Sequence, residues 1–315
     1  MYKVYVDGQE GTTGLVINER LTIFSDIEII KIDSDKRKDP EERRRMLNAA
    51  DVAFLCLPDT ASMEAASMVT NPKTCLIDAS TAYRTHPDWA YGIPELDKNQ
   101  RDIIRKSKRI ANPGCHATGF ALLVYPLISQ GILSADYPVT CQSITGYSGA
   151  GKKMISLFEA PDADLKYLNA PRPYALGLKH KHLPEMQKYS GLANPPLFMP
   201  VIGNFYKGMA VSVPLFPRLF KTKMTPQRMQ QFFADYYAGE QFIKVLPFAP
   251  DANVVDGFLN PQAANDTNNN EIIVFGHDDQ IVLVSRLDNL GKGASGAAIQ
   301  NMNIVLGFDE CTGLV

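Results

Sequence analysis

An alternation that fills the first third of the chain limits the fold more than any other feature. Residues 2–6, 27–32, 52–57 and 74–77 are short apolar runs of strand-like composition. Helix signals separate them. Asp39-Pro40-Glu41 supplies an N-cap, a first-position proline and a first-turn acid, and opens a helix to about residue 49. Residues 60–69 read as another helix, capped by Asp59 or Thr60. Strands that alternate with helices imply a parallel, doubly wound sheet.

A further short strand at 109–111 delivers Asn112-Pro113-Gly114-Cys115-His116-Ala117-Thr118-Gly119. Ala117, Phe120, Ala121 and Val124 then recur at helical spacing, so Cys115 falls in the first turn of a helix. Unpaired backbone N–H groups and the positive dipole end gather there. That field stabilises a thiolate, the form that attacks carbonyl carbon. The alternative is a buried structural cysteine packed as a small hydrophobe. Pro126 should kink or end the helix.

Beyond this helix the pattern changes. Residues 139–144, 209–215, 271–275 and 281–287 read as longer strands, with a hairpin turn at His277-Asp278-Asp279-Gln280. Thr225-Pro226 starts a helix that Gly239 ends, and 261–270 reads as a surface loop. Residues 291–306 form a helix of small residues suited to packing on the first domain. The expected architecture is α/β: a Rossmann-like doubly wound domain over 1–114, completed by a C-terminal helix at 291–315. An α+β domain with a mostly antiparallel sheet would occupy 115–290.

The length of 315 residues fits about two domains. A net charge of −2 gives no sign of a nucleic-acid or membrane partner. No apolar run is long enough for a bilayer span, and the first residues lack a signal-peptide layout. Five cysteines without paired spacing suit reduced thiols in the cytoplasm.

Four other segments carry chemistry. Gly8-Gln9-Glu10-Gly11-Thr12-Thr13-Gly14 follows a strand and opens a helix, where glycines let backbone approach a pyrophosphate. Its spacing departs from the usual dinucleotide fingerprint. Asp33-Ser34-Asp35-Lys36-Arg37-Lys38 ends the second strand, where the adenosine ribose lies in such domains. Ser34, Lys36 and Arg37 there favour NADP, against the plain alternative of a solvated charged loop. His180-Lys181-His182-Leu183-Pro184-Glu185 offers two imidazoles for acid–base work. The rivals are a surface pair and a metal site, and no further Cys/His cluster completes the latter. Ser143 to Lys153 is a glycine loop with hydroxyls and lysines. It suits phosphate, or is a flexible turn.

Taken together, the three glycines at 8, 11 and 14, Asn112-Pro113-Gly114-Cys115, Gly146-Tyr147-Ser148-Gly149-Ala150-Gly151, the His180–Glu185 run and Asp288-Asn289-Leu290-Gly291-Lys292-Gly293-Ala294-Ser295-Gly296 resemble the N-acetyl-γ-glutamyl-phosphate reductase family in its shorter form. The last motif is shared with aspartate-semialdehyde dehydrogenases. The resemblance implies NADPH-dependent reduction of an acyl phosphate through a thioester on Cys115, with His180 as acid/base. It implies NADP(H) contacts from Gly11, Thr12, Thr13, Gly14, Ser34, Arg37, Cys56, Pro58, Ser80 and Asn289. Arg84, Asn112, Ser148 and His182 are the implied substrate contacts. The resemblance also gives the 115–290 domain catalysis and oligomerisation, in a cytoplasmic homo-oligomer, dimer or tetramer, with no metal. Two alternatives stay open: aspartate-semialdehyde dehydrogenase activity, and a nicotinamide-binding protein that has lost catalysis.

Overall fold

The computed structural model describes residues 1–160, 162 and 164–315. The chain forms two compact units, 1–114 with 294–315 and, between them, 115–293.

The first unit begins β1 (Tyr2–Asp7), α1 (Thr12–Leu21), β2 (Ile27–Ile30), α2 (Pro40–Ala49), β3 (Val52–Leu55), α3 (Asp59–Ser67) and β4 (Cys75–Asp78). It continues through β5 (Ala90–Tyr91), α4 (Gln100–Lys106) and β6 (Arg109–Ala111). The strands lie in the order β2-β1-β3-β4-β6-β5, and every pairing is parallel. Both faces are buried, as a parallel sheet requires. Val4, Val6, Val52, Phe54, Cys75 and Ile77 point into one core. Tyr5, Ala53, Leu55 and Leu76, the residues between, point into the other. The carboxylate of Asp39 caps α2 by accepting from the amides of Glu41 and Glu42 at 2.9 and 3.1 Å.

Several elements differ from the sequence reading. β3 stops at Leu55 rather than 57, because Pro58, with no N–H to donate, already caps α3. Asp59 therefore lies inside the first turn, and its carboxylate accepts from the Thr81 amide at 2.8 Å instead of capping the helix. β5 and α4 are additions to the sequence reading: a two-residue strand has no periodicity, and a seven-residue helix spans only about two turns.

The second unit runs α5 (Cys115–Ser129), β7 (Thr140–Gly146), α6 (Lys152–Glu159), α7 (Leu165–Leu168), β8 (Arg172–Pro173) and α8 (Leu183–Ser190). It continues β9 (Leu197–Gly203), β10 (Met209–Leu215), α9 (Pro226–Tyr236), β11 (Ile243–Val245), β12 (Asn270–His277) and β13 (Gln280–Leu287). The sheet order is β11-β12-β13-β10-β7-β9-β8. Pairings are antiparallel except β11 with β12 and β7 with β9. The hairpin at 277–280 forms, with His277 opposite Gln280. The expected surface loop at 261–270 is partly interior: Asn268 and Asn270 are fully buried, and β12 already starts at Asn270.

α5 does not end at Pro126 but carries it internally. Proline there removes the donor that Leu122 C=O would otherwise receive. The Tyr237 hydroxyl takes its place, donating to that carbonyl at 2.7 Å. Gly119 seats the helix on the sheet, since a Cβ there would come 2.8 Å from Val211 and 2.9 Å from Ser285.

The closing helix is shorter than 291–315. Gly291–Ser295 forms a π turn, α10 spans Gly296–Leu306, and Gly307 stops it in the left-handed conformation at φ 75°. Ala298, Ile299, Met302 and Ile304 of α10 complete the first unit's core. No helix among the described residues is long and apolar enough to cross a membrane.

Candidate active site

In the first unit the chain from β1 crosses by α1 to β2, then returns past β1 to β3. The crevice at such a reversal, outside the carboxyl ends of the strands, is where open α/β sheets bind ligands. A cavity of about 450 Å³ lies there, lined among others by Asp7, Gly8, Glu10, Arg37 and Lys38.

The glycines are needed by the local backbone. Gly8 has φ +86°, and a Cβ on it would sit 2.3 Å from the Cys56 carbonyl oxygen. A Cβ on Gly14 would sit 2.4 Å from the Gly8 oxygen, so the turn folds tightly against the start of α1. Gly11 precedes that helix, and among the described residues no side chain caps it. The first amides, those of Thr12, Thr13 and Gly14, are thereby left for an anion. Uncapped amides, the glycines at 8, 11 and 14 and the adjoining cavity fit a dinucleotide.

Arg37 forms an ion pair with Glu10. Ser34 is exposed in the turn after β2, and the cavity wall there comes from Arg37 and Lys38. Cys56 is half-buried, and burial followed by the charges of Asp78 and Asp7 pushes its thiol up, so it stays protonated. Pro58 caps α3 at the surface.

Ser80, Arg84 and Asn112 meet around Asp78. The Ser80 hydroxyl donates to the Asp78 carboxylate at 2.7 Å. Burial raises the Asp78 pKa, against the opposing pull of Ser62, Ser80 and Arg84. Arg84 donates to the carbonyls of Asn112 and Ala79 at 3.0 and 3.1 Å. Asn112 is 1% exposed; its side chain donates to the Ala294 carbonyl at 2.9 Å and accepts from Asn301 at 3.3 Å. These contacts tie the strand ends to the base of α10.

Cys115, His180, His182, Ser148 and Asn289 all belong to the second unit. Cys115 is the first residue of α5 and half-buried. Gly293 packs on it so closely that a Cβ there would come 2.7 Å from the cysteine Cβ. The His182 amide donates to His180 Nδ1 at 3.1 Å, which leaves Nε2 as the protonated nitrogen of neutral His180. His182 is 5% exposed, with Nε2 4.0 Å from the buried Glu185 carboxylate. Asn289 donates to the Ser148 hydroxyl at 3.0 Å and accepts from the Gly208 amide at 2.8 Å. That arrangement clamps the glycine loop.

Sequence reasoning missed two groups. His116 is buried beneath the site, with ring centroids 5.5 Å from His180, 5.4 Å from His182 and 5.1 Å from Phe198. Its Nδ1 is 2.8 Å from the Ser143 hydroxyl and its Nε2 is 3.0 Å from the Tyr174 hydroxyl. Burial, then the charges of His180 and Lys181, drop its pKa to about 3, so it is neutral at ordinary pH. Burial raises the Tyr174 phenol, and the charge of nearby Cys115 adds to this. Position next to Cys115 was the available signal for His116. Tyr174 had none beyond lying six residues before His180. Among the described residues, no three His, Cys, Asp or Glu groups are placed to hold a metal ion.

A dinucleotide-type crevice in one unit and a helix-start cysteine with histidines in the other are the marks of the semialdehyde dehydrogenase class. Residues 3–104 match the semialdehyde dehydrogenase NAD binding domain, and residues 115–289 match the semialdehyde dehydrogenase dimerisation domain. By sequence the chain belongs to the N-acetyl-γ-glutamyl-phosphate reductase family. It is 46% identical to N-acetyl-gamma-glutamyl-phosphate reductase 2 of Nostoc sp. over 99% of each chain. A Chelativorans sp. reductase is 46% identical over 96% of this chain and 98% of its own. Among solved structures, aspartate semialdehyde dehydrogenase from Francisella tularensis superposes with TM-score 0.71 at 17% identity, covering 97% of this chain and 100% of that one. The Candida albicans enzyme, solved with NADP, gives 0.66 at 16% identity over 97% and 98%. At those identities the likeness is one of fold.

Proposed function

We propose that the chain reduces N-acetyl-L-γ-glutamyl phosphate to N-acetyl-L-glutamate 5-semialdehyde and phosphate, a step of arginine biosynthesis. The observation that carries this reading is Cys115 at the first position of α5, joined to His116 of the histidine cluster, in a chain 46% identical to reductases of that name. The amides at the start of α5 stabilise the Cys115 thiolate. The thiolate attacks the acyl carbon, phosphate leaves with the C–O electron pair, and a thioester forms. The same amides hold the carbonyl oxygen as it gathers charge. His180 takes the thiol proton on Nδ1, giving up the bond from the His182 amide, and returns a proton as the cycle closes. The nicotinamide cofactor, when bound, supplies the hydride. Breaking the C–S bond of the resulting hemithioacetal releases aldehyde and restores the thiolate.

Gly11, Thr12, Thr13 and Gly14 are the pyrophosphate contacts in this reading. Cys56, Pro58, Ser80 and Asn289 flank or support the cofactor, and Arg84, Asn112, Ser148 and His182 shape the substrate site. NADPH is the preferred cofactor, with Arg37 and Ser34 meeting its 2′-phosphate. A basic group gains from a dianionic phosphate and little from a hydroxyl. The enzyme works as a homo-oligomer, dimer or tetramer. Supporting this, Ile144, Leu197 and Met199 are exposed apolar residues on the paired strands β7 and β9. The five free cysteines suit a reducing cytoplasm.

The direct test is the reverse reaction: phosphate-dependent reduction of NADP⁺ by N-acetylglutamate semialdehyde. Aspartate semialdehyde as the better substrate would transfer the chain to the neighbouring activity. No turnover with either would leave a binding protein.

A further inference from the structure

His116 belongs to the motif around the nucleophile, yet the thioester mechanism gives it no task. It is 3% exposed, and both ring nitrogens have partners far away in sequence, Ser143 on β7 and Tyr174 just after β8. Nothing so far says which nitrogen carries the proton.

The surroundings decide it. Ser143 is fully buried, so its hydroxyl proton requires an acceptor. Among the described residues, His116 Nδ1 is the side-chain partner within its reach. Nδ1 is then unprotonated, and the proton of the neutral ring sits on Nε2, directed at the Tyr174 oxygen 3.0 Å away. Tyr174 therefore accepts from His116 and keeps its own proton to give elsewhere. The ring that holds this phenol belongs to the residue joined to Cys115 in the chain, and after burial it is the charge of Cys115 that raises the phenol.

We propose that His116 is a positioning residue: its Nε2–H fixes the Tyr174 hydroxyl as a hydrogen-bond donor to the atom that carries negative charge at Cys115. That atom is the thiolate sulfur before attack and the substrate oxygen during reduction. No proton is transferred in this role; Tyr174 donates a hydrogen bond and His116 holds its orientation. The proposal rests on Cys115 being the nucleophile. A neutral ring is required, because a protonated His116 would leave the Ser143 hydroxyl proton without an acceptor and set a cation beside its neighbours. The titratable groups that face it are His180, His182 with Glu185 behind it, Lys181, Tyr174 and Cys115.

Histidine ¹⁵N NMR of the intact enzyme between pH 5 and 9 reads the tautomer directly. The expected result is an Nε2–H neutral ring that does not titrate; an Nδ1–H ring overturns the proposal. Kinetics supply the second arm. Tyr174→Phe should lower kcat by about 10²-fold, the scale of losing one donor to a developing oxyanion. His116→Gln should lower kcat less, by a factor that is constant across the pH range. Combined with Tyr174→Phe, it should add almost nothing, because it acts through that hydroxyl. Full additivity, or a Tyr174→Phe kcat within about threefold of wild type, sinks the idea. If His116→Gln does not fold, the wild-type tautomer and Tyr174→Phe still decide. Failure of the thioester reading is separate: Cys115→Ala would then retain turnover whatever the tautomer.

Discussion

The loss of one sulfur atom should stop turnover without disturbing the cofactor. Cys115→Ala is expected to abolish activity while dinucleotide binding, followed by calorimetry, is retained. Cys115→Ser should be nearly as inactive, since an alcohol at its free pKa is a poor nucleophile. His180→Asn should reduce kcat by about 10²–10⁴-fold, whereas His182→Asn should act more on KM. Reversal of that pattern in steady-state kinetics would exchange their roles. Arg37→Ala should raise the KM for NADPH far more than that for NADH; equal effects would make Arg37 a surface charge. His116 also links stability to pH. Unfolded, it gains a proton below about 6.5; folded, it resists down to about 3. Its contribution is therefore complete above pH 6.5 and is lost as pH falls toward 3, with a slope of up to ~1.4 kcal/mol per pH unit. Denaturant unfolding at pH 6 and pH 4 should show a smaller difference in His116→Gln than in wild type. Residue-scale legibility followed the same lines. Cys115, His180 and His182 announce their chemistry locally, within motifs. His116 and Tyr174 do not, because they acquire theirs through contacts 27 and 58 residues away in sequence.

At the scale of elements, local rules made most of the first sheet readable. Its strands are buried on both faces, so they appear as continuous apolar runs, and α2 carries its cap in plain sight. Where the outcome depended on distant partners, local rules left it open. Pro126 marks a kink or an end by those rules, and α5 runs through it because a tyrosine more than a hundred residues later satisfies the carbonyl it orphans. Tyr237→Phe should therefore destabilise the fold by about 1–3 kcal/mol, the cost of a buried unsatisfied group. Unfolding of the variant by urea measures it, and no loss would mean water replaces the hydroxyl. The turn before α1 makes an opposite demand. Gly14→Ala places a methyl 2.4 Å from a backbone oxygen that has no flexible end to move. It should weaken dinucleotide binding and lower the melting temperature together. Unchanged binding would show that the turn is not the pyrophosphate seat.

On the scale of the whole molecule, the second unit is an insertion: the chain leaves the first at Gly114 and rejoins it at Ala294. Met302 is fully buried in the core that α10 completes. Met302→Ala should cost about 2–5 kcal/mol, read from denaturant midpoints. The same layout dictates an order of events during synthesis. A ribosome has made all of β1 to β6 long before it reaches Ile299 and Met302. One face of the nascent sheet, covered until then only in part by Ile17, Leu21 and Ile104, must therefore wait for α10 through the translation of nearly 180 residues. At about 5–20 residues per second, that wait lasts roughly ten to forty seconds. The inserted unit, whose strands and helices are all its own, is free to finish first. The first-made unit of this protein is thus the last to be completed, and its part-covered apolar face is the surface most open to aggregation during that interval.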